Sequence, residues 1–462
     1  MLLAAVGVVV FGPRTANKTP DGRVVVTYWE KWTGFEGEAM RQLVHYFNAT
    51  EGQRLGIHVE YVPTTGIDLK TMIAITGGDP PDLAGLWQRN LCSFAEGAAL
   101  ESLDEHVSAS GFPIDAFIPL FRKGCEYHDT LYALPLTPAS IALYYNKDVF
   151  DSFADELALA GLDSSRPPRT IAELDAYADV MQRRDAQGRI EQMAYLPSSP
   201  DVFGWFWDTW PVWFGEPLVD PATGLFRCDT PGFIEAYSWV GRFTRRFGID
   251  AIARFESGLG NFNSPDNPFM VGQLAMVRQG PWFANMIRQL APQVHYGVAP
   301  FPTADGRRIA YCEQDIIVIP RGARHPDEAW RFLEWLYTSP PITVPQAAHG
   351  MGADAPPLRP VERLCWMHCK NSPLRSSSPA FFKTHPNPAI HLHDELAKAE
   401  GATLCPQLPN WPEVQAEFAA AYRDIWHTGA PAEDRLHECQ ERIEELTGLA
   451  RRRVERYGMT YP

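Results

Sequence analysis

The chain has 462 residues and a formal net charge of −15, from 56 acidic against 41 basic residues. Its length exceeds one ordinary hydrophobic core and predicts two or three domains. The acidic balance argues against a nucleic-acid partner and against an anionic substrate on a broad basic surface, both of which need clustered Lys and Arg. A local arginine clamp remains compatible with it. The composition is that of a globular protein, 45% hydrophobic and 21% charged, with 14 Trp, 16 Tyr and 25 Phe. A core absorbs that many rings, and so does a site that stacks flat apolar faces.

The first feature is Leu2 to Phe11, an uncharged apolar run. It is shorter than the ~20 residues a membrane-spanning helix needs and suits the apolar region of a signal peptide. No basic segment precedes it, no A-x-A site follows it cleanly, and no Cys stands just behind it to accept a lipid. Residues 1–23 are therefore read as the remnant of an export signal or a short membrane anchor, a buried first strand being the other reading.

Val24 to Trp29 is a β-branched and aromatic run of strand length. Met40, Leu43, Val44 and Phe47 follow at the spacing of one helix face. Ile57, Val59 and Tyr61 alternate as a strand, and Leu69, Met72, Ile73 and Thr76 predict the face of the next helix, stopped by Asp79-Pro80-Pro81-Asp82. Strand and helix alternating in this way predict a parallel sheet with right-handed crossovers. Further on, Thr170-x-x-Glu173 is a capping box opening a helix whose inward face is Leu174, Tyr177, Ala178 and Met181. Ile316 to Ile319 reads as a buried strand ended by Pro320, and Ala329, Phe332, Leu333 and Leu336 as a helix face. Val414, Phe418, Ala421 and Ile425, then Leu436, Cys439, Ile443 and Leu446, predict two closing helices. Between Gly350 and Asn410 the chain is Pro- and Ser-rich, with no periodicity that places elements. The eight Cys are scattered. They permit disulfides of undetermined pairing, and Cys365-Trp-Met-His368-Cys369 lacks the second Cys/His pair that a zinc site needs.

Several segments resemble, in order, the family 1 extracellular solute-binding proteins, the group that includes maltose-binding protein. Ile75 to Asp82 is similar to the family's A-x-G-D-x-P-D, and Ser93 to Asp104 to its F-A-x-x-G-x-L-x-x-L-D. Leu131-Tyr-Ala-Leu-Pro135 through Leu143-Tyr-Tyr-Asn-Lys-Asp148 is close to L-Y-G-L-P…L-Y-Y-N-K-D. Pro167 to Leu174 resembles P-P-x-T-W-x-E-L, and Gly272 to Trp282 resembles G-x-A-A-M…G-P-W. The resemblance implies an α/β, two-lobed periplasmic-binding-protein fold (type II), with discontinuous lobes, a hinge and an interdomain cleft. The lobes are expected at 24–136 with 312–344, and at 137–311 with 345–462. It further implies an exported, non-catalytic, monomeric component of an ABC importer that delivers a carbohydrate to a membrane permease, with no cofactor, no metal and no nucleic acid.

A pyranose needs aromatic plates for its C–H faces and planar polar groups for its hydroxyl edge, buried together. Plates concentrate at Trp205, Trp207, Trp210 and Trp213. Trp207-Asp-Thr-Trp-Pro211 matches the family segment in which a ring ahead of T-W-P stacks on sugar, so Trp207 and then Trp205 are the expected plates, with Trp210 in the core. Trp282 matches another sugar-stacking tryptophan of the family. Trp32 and Glu36 follow the first strand, and Trp87, Gln88 and Asn90 follow a later one, at the strand ends where ligands bind in such sheets. Glu36 alternatively only complements a helix N-terminus. Ser140 lies at the first inter-lobe crossing and offers a hydroxyl. Where the family often has Gly-Gly, this chain reads Tyr311-Cys312-Glu313-Gln314, which would bring the Glu313 and Gln314 side chains towards the ligand. A glycerol phosphodiester or polyamine on the same fold is the other reading, and a carbohydrate-active enzyme, which needs paired carboxylates, is a further one.

Overall fold

The computed structural model describes residues 18–197, 206–221, 223–344 and 355–456; the apolar run Leu2–Phe11 and Trp205 lie outside them. Strand β1 (Val24–Glu30) leads into helix α1 (Gly34–Ala49), whose Met40, Leu43, Val44 and Phe47 are all buried, as their spacing predicts. Strand β2 (Ile57–Pro63), helix α2 (Ile67–Thr76) and strand β3 (Leu83–Trp87) follow. β1 pairs in parallel with both β2 and β3. The inward face of α2 is not the expected one: Leu69 and Ile73 are exposed, and the helix rests on Ile67 and Thr71 instead. Its polar residues Asp68, Lys70, Thr71 and Thr76 are spread around the helix, so no apolar stripe tells which side is buried.

Strand β4 (Ala133–Ser140) belongs to the same sheet, and β5 (Ala142–Asn146) enters another. β5 is the middle of a three-stranded antiparallel sheet, between β6 (Met276–Gln279) and β7 (Tyr296–Ala299). Strand β8 (Ala310–Val318) then returns to the first sheet, antiparallel to both β3 and β4, with β9 (Ala402–Thr403) at its side. The first sheet is thus mixed, with six strands, its parallel part confined to β1, β2, β3 and the β8–β9 edge. Gly85 in β3 is required by close approach: a Cβ there would stand 1.8 Å from the Glu30 carboxylate.

Two large apolar clusters result. One joins Val26 to Leu136, Ile316 to Ile342 and Ala355 to Ile390; the other joins Ile141 to Phe301, Tyr311, and Leu408 to Ile443. The expected division grouped all of 345–462 with the second lobe. The packing differs for 355–390, which joins the first cluster through helix α3 (Pro360–Met367), all of whose residues are buried and which packs against α1 and β4. The closing helices are α4 (Trp411–Thr428) and α5 (Ala432–Arg456); Val414, Phe418, Ala421, Ile425, Leu436, Cys439 and Ile443 are buried. Thr170 caps Ile171–Val180 by accepting from the Glu173 N–H at 3.0 Å, as the motif predicts. Among the described residues no helix is long and apolar enough to cross a membrane.

Candidate functional site

A cleft of about 880 Å³ opens where the ends of β1 and β3 face the residues around Trp282, over a floor made by β4 and β8. Trp32 and Glu36 come from the turn into α1, and Trp87, Gln88, Arg89 and Asn90 from the end of β3. Phe262, Asn263 and the helix Trp282–Leu290 form the opposite wall. Thr137, Ala139, Glu313, Gln314, Asp315 and Lys370 form the floor.

The floor is an ion network. Asp315 lies 3.1 Å from the Lys31 ammonium and 2.8 Å from that of Lys370, and Thr137 donates to it at 2.6 Å. Burial alone would raise the Asp315 carboxyl, but the two lysines hold it well below the usual carboxylate range. Burial opposes the charge on Lys370, and Asp315 and Glu36 more than offset it. Lys31 behaves likewise between Asp315 and Glu30. Arg89 stands 3.5 Å from Glu313, a looser pair. Burial outweighs that arginine and pushes the Glu313 carboxyl up to about 7, with Asp208 and Asp315 adding to the rise and Lys370 opposing it. Burial also raises Asp68, which lines the first wall.

Aromatic faces surround this floor. Lys31 sits 5.1 Å from the Trp32 ring and 5.4 Å from the Trp87 ring, and Lys370 sits 5.6 Å from the Trp282 ring. Trp32 is nearly buried and meets His368 edge-on at 4.6 Å. Burial lowers His368 to about 4, so the ring is neutral at pH 7 and its 4.0 Å approach to the Glu36 carboxylate is no ion pair. Its Nε2 donates instead to the Glu36 carbonyl at 3.0 Å. Trp87 keeps 39% of its surface exposed, and Trp282 is half-buried.

Of the expected site residues, Trp32, Glu36, Trp87, Gln88, Asn90, Trp282, Glu313 and Gln314 lie together on the cleft. Two of these amides have protein partners: Gln88 accepts from the Cys405 thiol at 2.8 Å, and Gln314 donates to the Phe121 carbonyl at 2.9 Å. Trp207 lies elsewhere. It is 7% exposed, packed 5.3 Å from Phe418 and 5.5 Å from Tyr422, so α4 covers the face expected to meet a ligand. Ser140 is also off the cleft, fully buried, its hydroxyl donating to the His393 carbonyl at 2.8 Å. Trp205 is outside the described residues. Sequence reasoning missed Lys31, Arg89, Asp315 and Lys370. Lys31 and Arg89 each adjoin an expected residue, and Asp315 follows Gln314, so extending each motif by one position would have found them. Lys370 had no such signal. Among the described residues no group of His, Cys, Asp and Glu is arranged to hold a metal ion.

A cleft at the strand ends, between two separately cored parts and over crossing strands, defines a solute receptor. The model of the bacterial extracellular solute-binding proteins matches residues 36–341, and the chain belongs to that family, whose members bind solutes and are non-catalytic. The chain is 25% identical over 296 residues to a maltotriose-binding protein of Pyrococcus abyssi (strain GE5 / Orsay), which is 61% of this chain and 55% of that one. It therefore spans little more than half of that relative's length. It is similar in structure to CpMnBP1 with mannotriose bound, with a TM-score of 0.72, 24% identity, and coverage of 91% of this chain and 100% of that one. It is similar also to UgpB from Mycobacterium tuberculosis in complex with glycerophosphocholine, with a TM-score of 0.69, 18% identity, and coverage of 93% and 100%. These likenesses show the mixed α/β periplasmic-binding-protein fold.

Proposed function

We propose that the protein binds a carbohydrate, an oligosaccharide or glycoside, in this cleft and delivers it to the permease of an ABC-type importer. The observation that carries the reading is the placing of Trp32, Trp87 and Trp282 around a floor of paired charged groups. The rings offer plates for C–H faces, and Glu36, Asn90, Glu313 and Lys370 offer charged or planar partners for hydroxyls. The receptor acts outside the cytoplasm, as a monomer, with residues 1–23 as the remnant of an export signal or a short membrane anchor. Two lobes, meeting at β4 and β8, hinge shut on the ligand and exclude water.

A glycerol phosphodiester is the second reading, favoured by Lys31, Arg89 and Lys370 on the cleft. Each of these cations already has a carboxylate partner, so a phosphate would have to displace one, whereas a neutral polyol adds hydrogen bonds to groups already in place. Thermal-shift titration with manno- and malto-oligosaccharides beside glycerophosphocholine separates the two. The sugar reading expects a rise in melting temperature with a saccharide. A rise with glycerophosphocholine and none with any saccharide overturns it.

A further inference from the structure

The closing helix α5 spans 25 residues, and among its described side chains the buried ones are Ala432, Leu436, Cys439, Gln440 and Ile443. Opposite that side lies Cys228, just ahead of the helix Pro231–Phe247. The Cys228 N–H donates to Gln440 Oε1 at 2.9 Å, and its Sγ lies 3.5 Å from the Leu436 carbonyl and 3.6 Å from Gln440 Oε1. Leu436, Cys439 and Gln440 fall at i, i+3 and i+4 of one helix face, so Cys439 faces the same sulfur. The Cys439 thiol beside Cys228 raises its pKa, and both side chains are fully buried within the second apolar cluster. Three other cysteines have partners elsewhere: Cys125 lies against the Gln314 amide, Cys365 donates to the Leu136 carbonyl, and Cys405 donates to Gln88.

We infer that Cys228 and Cys439 are a disulfide site, closed while the chain folds in an oxidising compartment. Complete burial places the reaction before α5 has docked, when a disulfide donor still reaches the sulfurs. One cysteine, as thiolate, attacks the donor's S–S bond and releases one donor thiol. The other, as thiolate, then attacks the mixed disulfide and releases the second. Two cysteine thiols and one donor disulfide become one protein disulfide and two donor thiols, with the two electrons passing to the donor. The bridge would staple α5 to the base of the second cluster and constrain the unfolded chain across a long loop. Only the choice of compartment rests on the functional reading; the contact between the sulfurs is independent of the solute.

The test uses the full chain exported to an oxidising compartment and purified without reductant. Denatured and alkylated, it should show two fewer free thiols than its eight cysteines, and digestion should release one peptide joining Cys228 to Cys439. The Cys228→Ala/Cys439→Ala variant should melt roughly 5 °C lower than the oxidised parent, with unchanged affinity for a ligand identified by screening. Eight titrating thiols in the unreduced chain, or a linked peptide that joins either cysteine to a different one, overturns the inference without touching the reading of the cleft.

Discussion

Replacing Trp87 by Ala tests the aromatic reading of the cleft most directly. Trp87 is 39% exposed and lines the wall beside Lys31. Of roughly 250 Å² for such a side chain, about 100 Å² is then open for a ligand to cover. At about 25 cal/mol per Å², covering it contributes about 2.5 kcal/mol, or roughly 60-fold in affinity. Because that contact exists only in the complex, stability should change by less than about 1 kcal/mol. Trp207→Ala is the control. That ring is wedged against Phe418 and Tyr422, so its loss should cost about 3–5 kcal/mol of stability and leave the affinity of the folded fraction intact. Calorimetric titration with a saccharide found by screening, together with melting curves on the same samples, gives both numbers. A Trp87→Ala protein that binds that saccharide as tightly as the parent refutes the reasoning.

Three further outcomes follow from the same geometry. Asp315→Asn should destabilise the fold by about 3 kcal/mol, because Lys31 and Lys370 lose the charge between them; a loss below about 1 kcal/mol in urea unfolding would contradict the network. Glu313 takes up a proton on folding between its ordinary 4.5 and about 7, so its stabilising contribution is complete below pH 4.5 and is lost as pH rises through about 7. Melting temperatures from pH 5 to 8 should therefore decline more steeply in the parent than in Glu313→Gln, and equal slopes would refute the assignment. Small-angle scattering should show a smaller radius of gyration when a proven ligand is added, and an unchanged radius at saturation counts against closure.

Where local pattern decides structure, the sequence was readable. Helix α1 is amphipathic and its face was legible, because Met40, Leu43, Val44 and Phe47 stand against polar neighbours. Helix α2 has polar residues spread around it, Asp68, Lys70, Thr71 and Thr76, and only its docking through Ile67 and Thr71 reveals which side is buried. The second sheet could not be read as antiparallel, because β5 takes both neighbours from beyond residue 270. The tryptophan-rich segment shows the limit at the site. Trp207 carries the family's local motif, but whether it faces a ligand depends on α4, which reaches it from two hundred residues further along. Lys370 lies in a stretch without periodicity and meets Asp315 and Glu36 only once that stretch has packed into the first cluster.

The Lys31–Asp315–Lys370 network also bears on how the floor would work. Burying two ammonium groups beside a carboxylate is costly, and an apolar floor of the same shape would serve stability as well or better. The charges make sense where a ligand must meet donors and acceptors already fixed in place, since groups that need no reordering lose less entropy on binding. Asp315 ties the end of β1, through Lys31, to the segment holding Lys370, and Lys370 reaches Glu36 at the start of α1. The polar partners of a sugar would thus be held by one another before it arrives. Arg89 and Glu313, the looser pair at 3.5 Å, are the groups with freedom left to adjust to the ligand's edge.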